Sequence, residues 1–204
     1  MPEQSSFKGL REGEREIRKS IILDATVNLF KEKGFHAVGM RDIAAVAGIS
    51  AATIYRYFPS RDDIIVEALI QGINAIEKEL DTVLGSGSIT LEDLAIAVVD
   101  YFFYNETVFQ MMCYFLTSSA IDPEANKKFN MVSEYFLNMF NMKLKSKGIV
   151  TDALASQAFF ASVSGVVLTF LHYPGLNDDE KRTYMHRLAL AIIKGEGGLT
   201  LLAG

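Results

Sequence analysis

The chain carries one cysteine, Cys113, so it can build neither an intramolecular disulfide nor a cysteine-rich metal site. Cys113 lies in an apolar helical run (Met111, Met112, Cys113, Tyr114, Phe115), which reads as packing rather than redox chemistry. Uninterrupted apolar stretches of about 18 residues, the length of a membrane span, are missing as well. Residues 1–15 mix Glu, Lys, Arg and Gly, without the apolar segment of a secretory signal. These absences point to a cytoplasmic globular protein with no membrane partner. Asn-Gly and Asp-Gly hairpin turns do not occur and alternating β-branched runs are few, which leaves an all-α chain. No nucleophile has a legible base, and there is neither a Gly-rich phosphate loop nor a metal-binding run; His172 and His186 are too few to hold a metal without carboxylates. The expectation is a non-enzyme with no catalytic residues, no metal and no cofactor.

Half of the 204 residues are apolar, enough for a sizeable core. The net charge of -5 conceals a division: residues 1–61 hold ten Lys and Arg against seven Asp and Glu, and the remainder ten against eighteen. A short basic module joined to an acidic one is the pattern of a DNA-facing segment attached to one with another task.

Helix punctuation divides the chain further. A first helix is expected from about Glu14 to Lys33, with Gly34 ending it, and short helices over 40–47 and 51–58 follow. Ser60, with Asp63 at near capping-box spacing, opens a longer helix to about Leu84. Residues 85–88 (Gly-Ser-Gly-Ser) read as a flexible connector, and Thr90 starts a helix to about Tyr104. Asp122-Pro123-Glu124 begins another, to about Lys147. Thr151 or Asp152 caps an almost wholly apolar one that runs to Pro174-Gly175, and the last spans about 178–194. A helix apolar on nearly every face needs cover on all sides, which makes a dimer interface the economical reading.

Met40 to Arg61 is the informative region. Ile43 and Ala47 point inward, Gly48 allows a turn, Ile49 plugs the junction and Ser50 caps a second helix whose inner face is Ile54 and Phe58. That leaves Ala51, Ala52, Thr53, Arg56 and Tyr57 outward, with Tyr55 on the flank. Small residues permit close approach to a major groove, hydroxyls bond phosphates or base edges, and an arginine can fork onto guanine. Lys8, Arg11, Arg15, Arg18 and Lys19 form either a basic arm touching the minor groove or backbone, or a solvated terminus; the interleaved Glu12, Glu14 and Glu16 favour the latter.

Gly34-Phe35, Met40-Arg41-Asp42-Ile43-Ala44, Ala47-Gly48-Ile49-Ser50 and Thr53-Ile54-Tyr55-Arg56-Tyr57-Phe58-Pro59-Ser60-Arg61-Asp62 together resemble the TetR family signature over roughly residues 15–70. Gly39 stands where that family usually has a capping Thr or Ser, and Ala52 where glycine is common. The resemblance implies an N-terminal three-helix helix-turn-helix domain, a C-terminal helical ligand-binding and dimerisation domain, and a homodimer that binds palindromic double-stranded operator DNA. It implies DNA contacts from Arg41, Ser50, Ala51, Ala52, Thr53, Tyr55, Arg56, Tyr57 and Arg61, with Arg61 on a phosphate. Tyr55 could instead pack on the first helix, and Arg41 could be a solvated charge. The domains are then 1–14, a flexible arm; 15–60, the helix-turn-helix; 61–195, ligand binding and dimerisation through the last two long helices; and 196–204, a tail.

A repressor released by a small hydrophobic effector is the implied function, with Phe102, Met111, Tyr114, Phe115, Phe136 and Phe140 the candidate pocket residues, and the helix beginning at Ser60 would carry the signal. The competing expectation is an effector-independent dimeric DNA-binding adaptor or architectural protein, whose core would lack a ligand-sized cavity.

Overall fold

The computed structural model describes residues 3–85, 90–146, 148–149 and 152–195, and all regular structure among them is helical. The connector expected at 85–88 falls outside the described residues apart from Gly85, and so does the 196–204 tail. In order the helices are α1 (Glu3–Lys33), α2 (Met40–Val46), α3 (Ala51–Tyr55), α4 (Arg61–Gly85), α5 (Leu91–Tyr104), α6 (Glu106–Thr117), α7 (Pro123–Ser146), α8 (Ala153–Phe170) and α9 (Asp178–Lys194), with a 3-10 turn at Phe35–Ala37. Two ends differ from expectation. α1 begins at Glu3, so helix occupies most of the stretch expected to be a flexible arm, and α3 stops at Tyr55 rather than Phe58.

The chain divides into two compact units, one made of residues 1–70 with 107–129 and the other of 71–106 with 130–204. The division does not follow the expected boundary at residue 60: the first unit takes in the start of α4, nearly all of α6 and the start of α7. Its core gathers Ile22, Leu29 and Phe30 of α1, Phe35, Val38, Ile43, Ile54 and Phe58, and Ile64, Ile65 and Leu69 of α4. Phe115 of α6 stacks on Phe129 of α7 within the same unit, ring centroids 4.7 Å apart.

The second unit is built on α5, α8 and α9, which pack against one another. α5 contributes Leu94, Val98, Val99 and Phe102, α8 Phe159, Val163, Val166 and Val167, and α9 Met185 and Ala189, all buried. α7 adds Phe140, whose ring lies 5.2 Å from Phe159 and 4.7 Å from Phe160. Thr90 and Asp152 cap helix starts as the sequence suggested, accepting from the Asp93 and Ala155 N–H groups, and Asn177, which the sequence reading did not single out, accepts from Glu180. Polar groups reinforce the packing. Arg182 of α9 grips Asp100 of α5 with two hydrogen bonds, 2.7 and 2.8 Å, and His186 Nε2 lies 2.7 Å from the same carboxylate. Tyr101 donates to the Gly72 carbonyl at 2.6 Å, and burial pushes its hydroxyl pKa up to about 12.

Candidate nucleic-acid interface

α2 starts at Gly39, which has no side chain to cap with; its own N–H instead donates to the Asp42 carboxylate at 2.9 Å. That backbone bond holds the Asp42 pKa below the ordinary carboxylate value, against desolvation and with help from Lys33 at 3.5 Å. α2 ends in a Schellman turn. Gly48 takes φ +67°, the Ile49 N–H reaches back to the Ala44 carbonyl at 3.1 Å and the Gly48 N–H to Ala45 at 3.4 Å. A side chain at position 48 would be strained, so the glycine is what lets the chain turn out of α2 here.

Ser50 then caps α3, accepting from the Thr53 N–H at 3.1 Å, while the two hydroxyls share a 2.8 Å hydrogen bond. Ile54 is the buried anchor, and Tyr57 and Phe58 close the turn with N–H bonds to its carbonyl. Of the residues expected to meet DNA, Arg41, Ser50, Ala52, Tyr55 and Arg56 are exposed, whereas Ala51, Thr53 and Tyr57 are half-buried. Tyr55 is 53% exposed, so packing on α1 does not use up its ring.

Arg61, which the sequence suggested as a phosphate ligand, lies here on backbone. Its Nε donates to the Val38 carbonyl at 2.9 Å and an Nη to Phe35 at 2.6 Å, and its guanidinium lies 4.9 Å from the Phe35 ring centre and 5.8 Å from that of Tyr114. The side chain ties the start of α4 to the α1–α2 connection. Beside it, the buried Asp62 accepts from the Tyr114 hydroxyl and from the Asp122 N–H, both at 2.8 Å. Burial and the Asp62 bond both raise the Tyr114 pKa. Asp63, also buried, exchanges hydrogen bonds with Ser60 at 3.0 and 3.1 Å and pairs with Lys128 of α7 at 2.5 Å.

Sequence reasoning missed this knot, because partners 52 to 65 positions apart leave no local periodicity. Of the expected pocket residues, Tyr114, Met111 and Phe115 belong to the first unit and Phe102, Phe136 and Phe140 to the second. Phe102, Met111, Phe115 and Phe140 are buried, and Tyr114 and Phe136 partly so. In the second unit a trough of about 390 Å³ opens between α7 and α8, lined by Asn130, Ser133, Glu134, Leu137, Asn138, Ala153 and Gln157, none of them an expected ligand contact.

Residues 22–68, which hold this constellation, match the family model described as bacterial regulatory proteins, tetR family. That segment is of the TetR type. The chain is 37% identical over 83 residues to the HTH-type transcriptional repressor KstR of Mycobacterium tuberculosis, covering 41% of this chain and 37% of that one. It is 24% identical over 140 residues to the fatty acid metabolism regulator protein of Bacillus subtilis, 66% of this chain and 67% of that one. The matches to the KstR repressors span about a third of those proteins' length. The transcriptional regulator FadR of Bacillus subtilis, solved in complex with stearoyl-CoA, shares the fold at TM-score 0.64 and 21% identity, over 86% of this chain and 98% of that one.

Proposed function

We propose that the protein is a transcriptional repressor that binds a palindromic operator as a homodimer and is released by a small hydrophobic effector. The observation that carries this reading is the face of the helix-turn-helix: Ala52, Tyr55 and Arg56 stand exposed on a short helix and its C-cap, with Ser50 capping the start and Ile54 and Phe58 buried behind. Small, hydroxylated and forked side chains on one face suit a major groove. Arg56 is the residue for base readout, Arg41 reaches base or phosphate from α2, and Ser50, Ala51, Ala52, Thr53, Tyr55 and Tyr57 shape the contact. Arg61, turned onto backbone carbonyls, serves by bracing the module.

Dimerisation is supported by α8. Leu154, Ala158, Ala161, Gly165 and Leu168 recur at alternating spacings of four and three and are all exposed, Leu154 by 73% and Leu168 by 68%. That spacing makes a seam along one side of the helix, and its small residues let a second helix approach closely. By length and mean hydropathy, 1.6, α8 could also cross a membrane. Gln157, Ser162, Ser164 and Thr169 interrupt its surface, however, and favour a partner helix. With α9, whose Tyr184 and Leu188 are also exposed, it would form a four-helix bundle with its counterpart. Recognition helices on a two-fold axis then reach major grooves about 34–36 Å apart or a multiple of that.

The aromatic content around Phe102, Phe136 and Phe140 suits an apolar effector. A long-chain acyl-CoA is the first to try, because a protein of the same fold is solved with one. The test is fluorescence anisotropy on the DNA flanking the gene, with competitor DNA at fixed salt. Competitor-resistant binding to a palindrome that stearoyl-CoA weakens is expected. Binding that no hydrophobic ligand changes would favour an effector-independent adaptor.

A further inference from the structure

α1 buries one stripe in the first unit, and Ile22, Thr26 and Leu29 on it are at most 1% exposed. At about 100° per residue, Arg15 lies within about 40° of each of them, so it continues the same stripe toward the N-terminus, with Arg18 and Lys19 beside it. The inward face of α1 therefore changes from apolar to basic where the helix runs past its packing partners: from Glu12 to Arg18 every residue is exposed. In the sequence, Arg11 and Lys8 hold the next positions of that register.

This face is turned toward the recognition segment. The Arg15 guanidinium lies 6.0 Å from the Tyr57 ring centre and the Lys19 ammonium 6.0 Å from that of Phe58. Contacts that long add little stability. Nor are the two guanidiniums neutralised, although three glutamates alternate with them. Glu14 and Glu16 sit about 100° to either side of the stripe, and Glu12 about 60° off it. Among the described residues neither Arg15 nor Arg18 has an ion pair, whereas Lys19 lies 3.8 Å from Glu16.

We propose that the N-terminal turns of α1 form a second DNA-contacting element, in which Arg15 and Arg18 hold the phosphate backbone flanking the groove that α3 enters. This rests on the DNA-binding reading above and extends it from α3 to a helix whose sequence reads as a solvated terminus. Because phosphates carry no sequence information, the contact adds affinity and salt dependence rather than base preference. A helix also presents the charges already ordered, which a flexible arm would not.

The test compares wild-type protein with the double variants Arg15→Gln/Arg18→Gln and Arg15→Lys/Arg18→Lys on two labelled duplexes: one selected by the wild type from a random-sequence library, and a scrambled duplex of equal length. Anisotropy titrations across about 50–200 mM salt give the slope of log affinity against log salt, which changes by about 0.9 for each phosphate no longer neutralised, or about 3.6 for four phosphates across a dimer. The glutamine variant is expected to flatten the slope by that amount on both duplexes with an unchanged melting temperature, and the lysine variant to keep the wild-type slope. An unchanged slope in the glutamine variant overturns the proposal while leaving the DNA-binding reading intact. A flattened slope in the lysine variant overturns it too, since charge would not be the cause. Wild-type protein that binds neither duplex overturns the reading and this proposal together.

Discussion

The two units hold themselves together by different means. In the first, side chains bonded to backbone set the geometry: Ser50 on Thr53, Asp42 on Gly39, Ser60 on Asp63 and Arg61 on two carbonyls. Each bond demands a particular residue type at a particular spacing. The second has caps and a polar junction of its own, but its interior is mostly aromatic and aliphatic side chains such as Phe140, Phe159 and Val163, which other apolar residues of similar volume could replace. The difference accords with a family match over residues 22–68 beside a fold likeness to FadR over 86% of the chain. Hydrogen-bonded geometry constrains residue identity, whereas packed volume constrains only apolar character.

The largest expected effect tests whether the exposed seam of α8 belongs to a partner. Ala161→Glu places a charge on an exposed position, so the protomer should still fold, while a dimer would have to bury an unpaired carboxylate. Sedimentation should show dissociation to monomer, and operator affinity should fall by orders of magnitude, because two half-sites would no longer be read together. A variant that remains a dimer would move the interface off α8.

The next pair separates the two arginines of the recognition module. Arg61→Ala leaves the Phe35 and Val38 carbonyls without their donor and should cost about 2 kcal/mol of stability, read as a drop in melting temperature. Arg56→Ala, at an exposed position, should leave melting unchanged and reduce operator affinity by about 1–3 kcal/mol, roughly five- to 150-fold. The comparison breaks if the two variants exchange phenotypes, which would return Arg61 to the phosphate role the sequence suggested. Ser50→Ala lies between them: losing the cap of α3 should cost about 1 kcal/mol and weaken DNA binding by loosening the helix that presents Arg56.

What the sequence makes legible follows the same division. Gly48, Ser50, Ser60, Thr90 and Asp152 announce turns and caps within a few residues of where they act, so most helix starts and the helix-turn-helix can be read directly. The start of α1 is not legible in this way, because the alternating Glu and Arg of residues 11–19 suit a solvated coil as well as a helix, and no capping residue marks Glu14. Tyr114 reads as a pocket residue because its neighbours are apolar. Its bond to Asp62 depends on how the chain folds back across 52 positions, which no local pattern encodes.

The smallest effect probes whether the second unit, for all its apolar packing, also depends on one polar junction. Burial opposes ionisation of Asp100, but hydrogen bonds from Arg182 and His186 outweigh it and hold the carboxyl below its ordinary value. A group whose pKa is lowered by folding stabilises the fold at pH values above its unfolded pKa, and loses that contribution as pH falls toward its folded one. Asp100 should therefore support α5 against α9 at neutral pH and cease to do so in acid. Asp100→Asn removes the charge at every pH, so its melting temperature should lie below the wild type's near pH 7 and converge on it below the ordinary carboxylate range. Asp42 and Asp93, also lowered, titrate in both proteins and cancel in the difference. A gap of constant size from neutral to acid pH would mean that Asp100 acts by shape and neutral hydrogen bonding, and that packing alone sets the response of the second unit to acid.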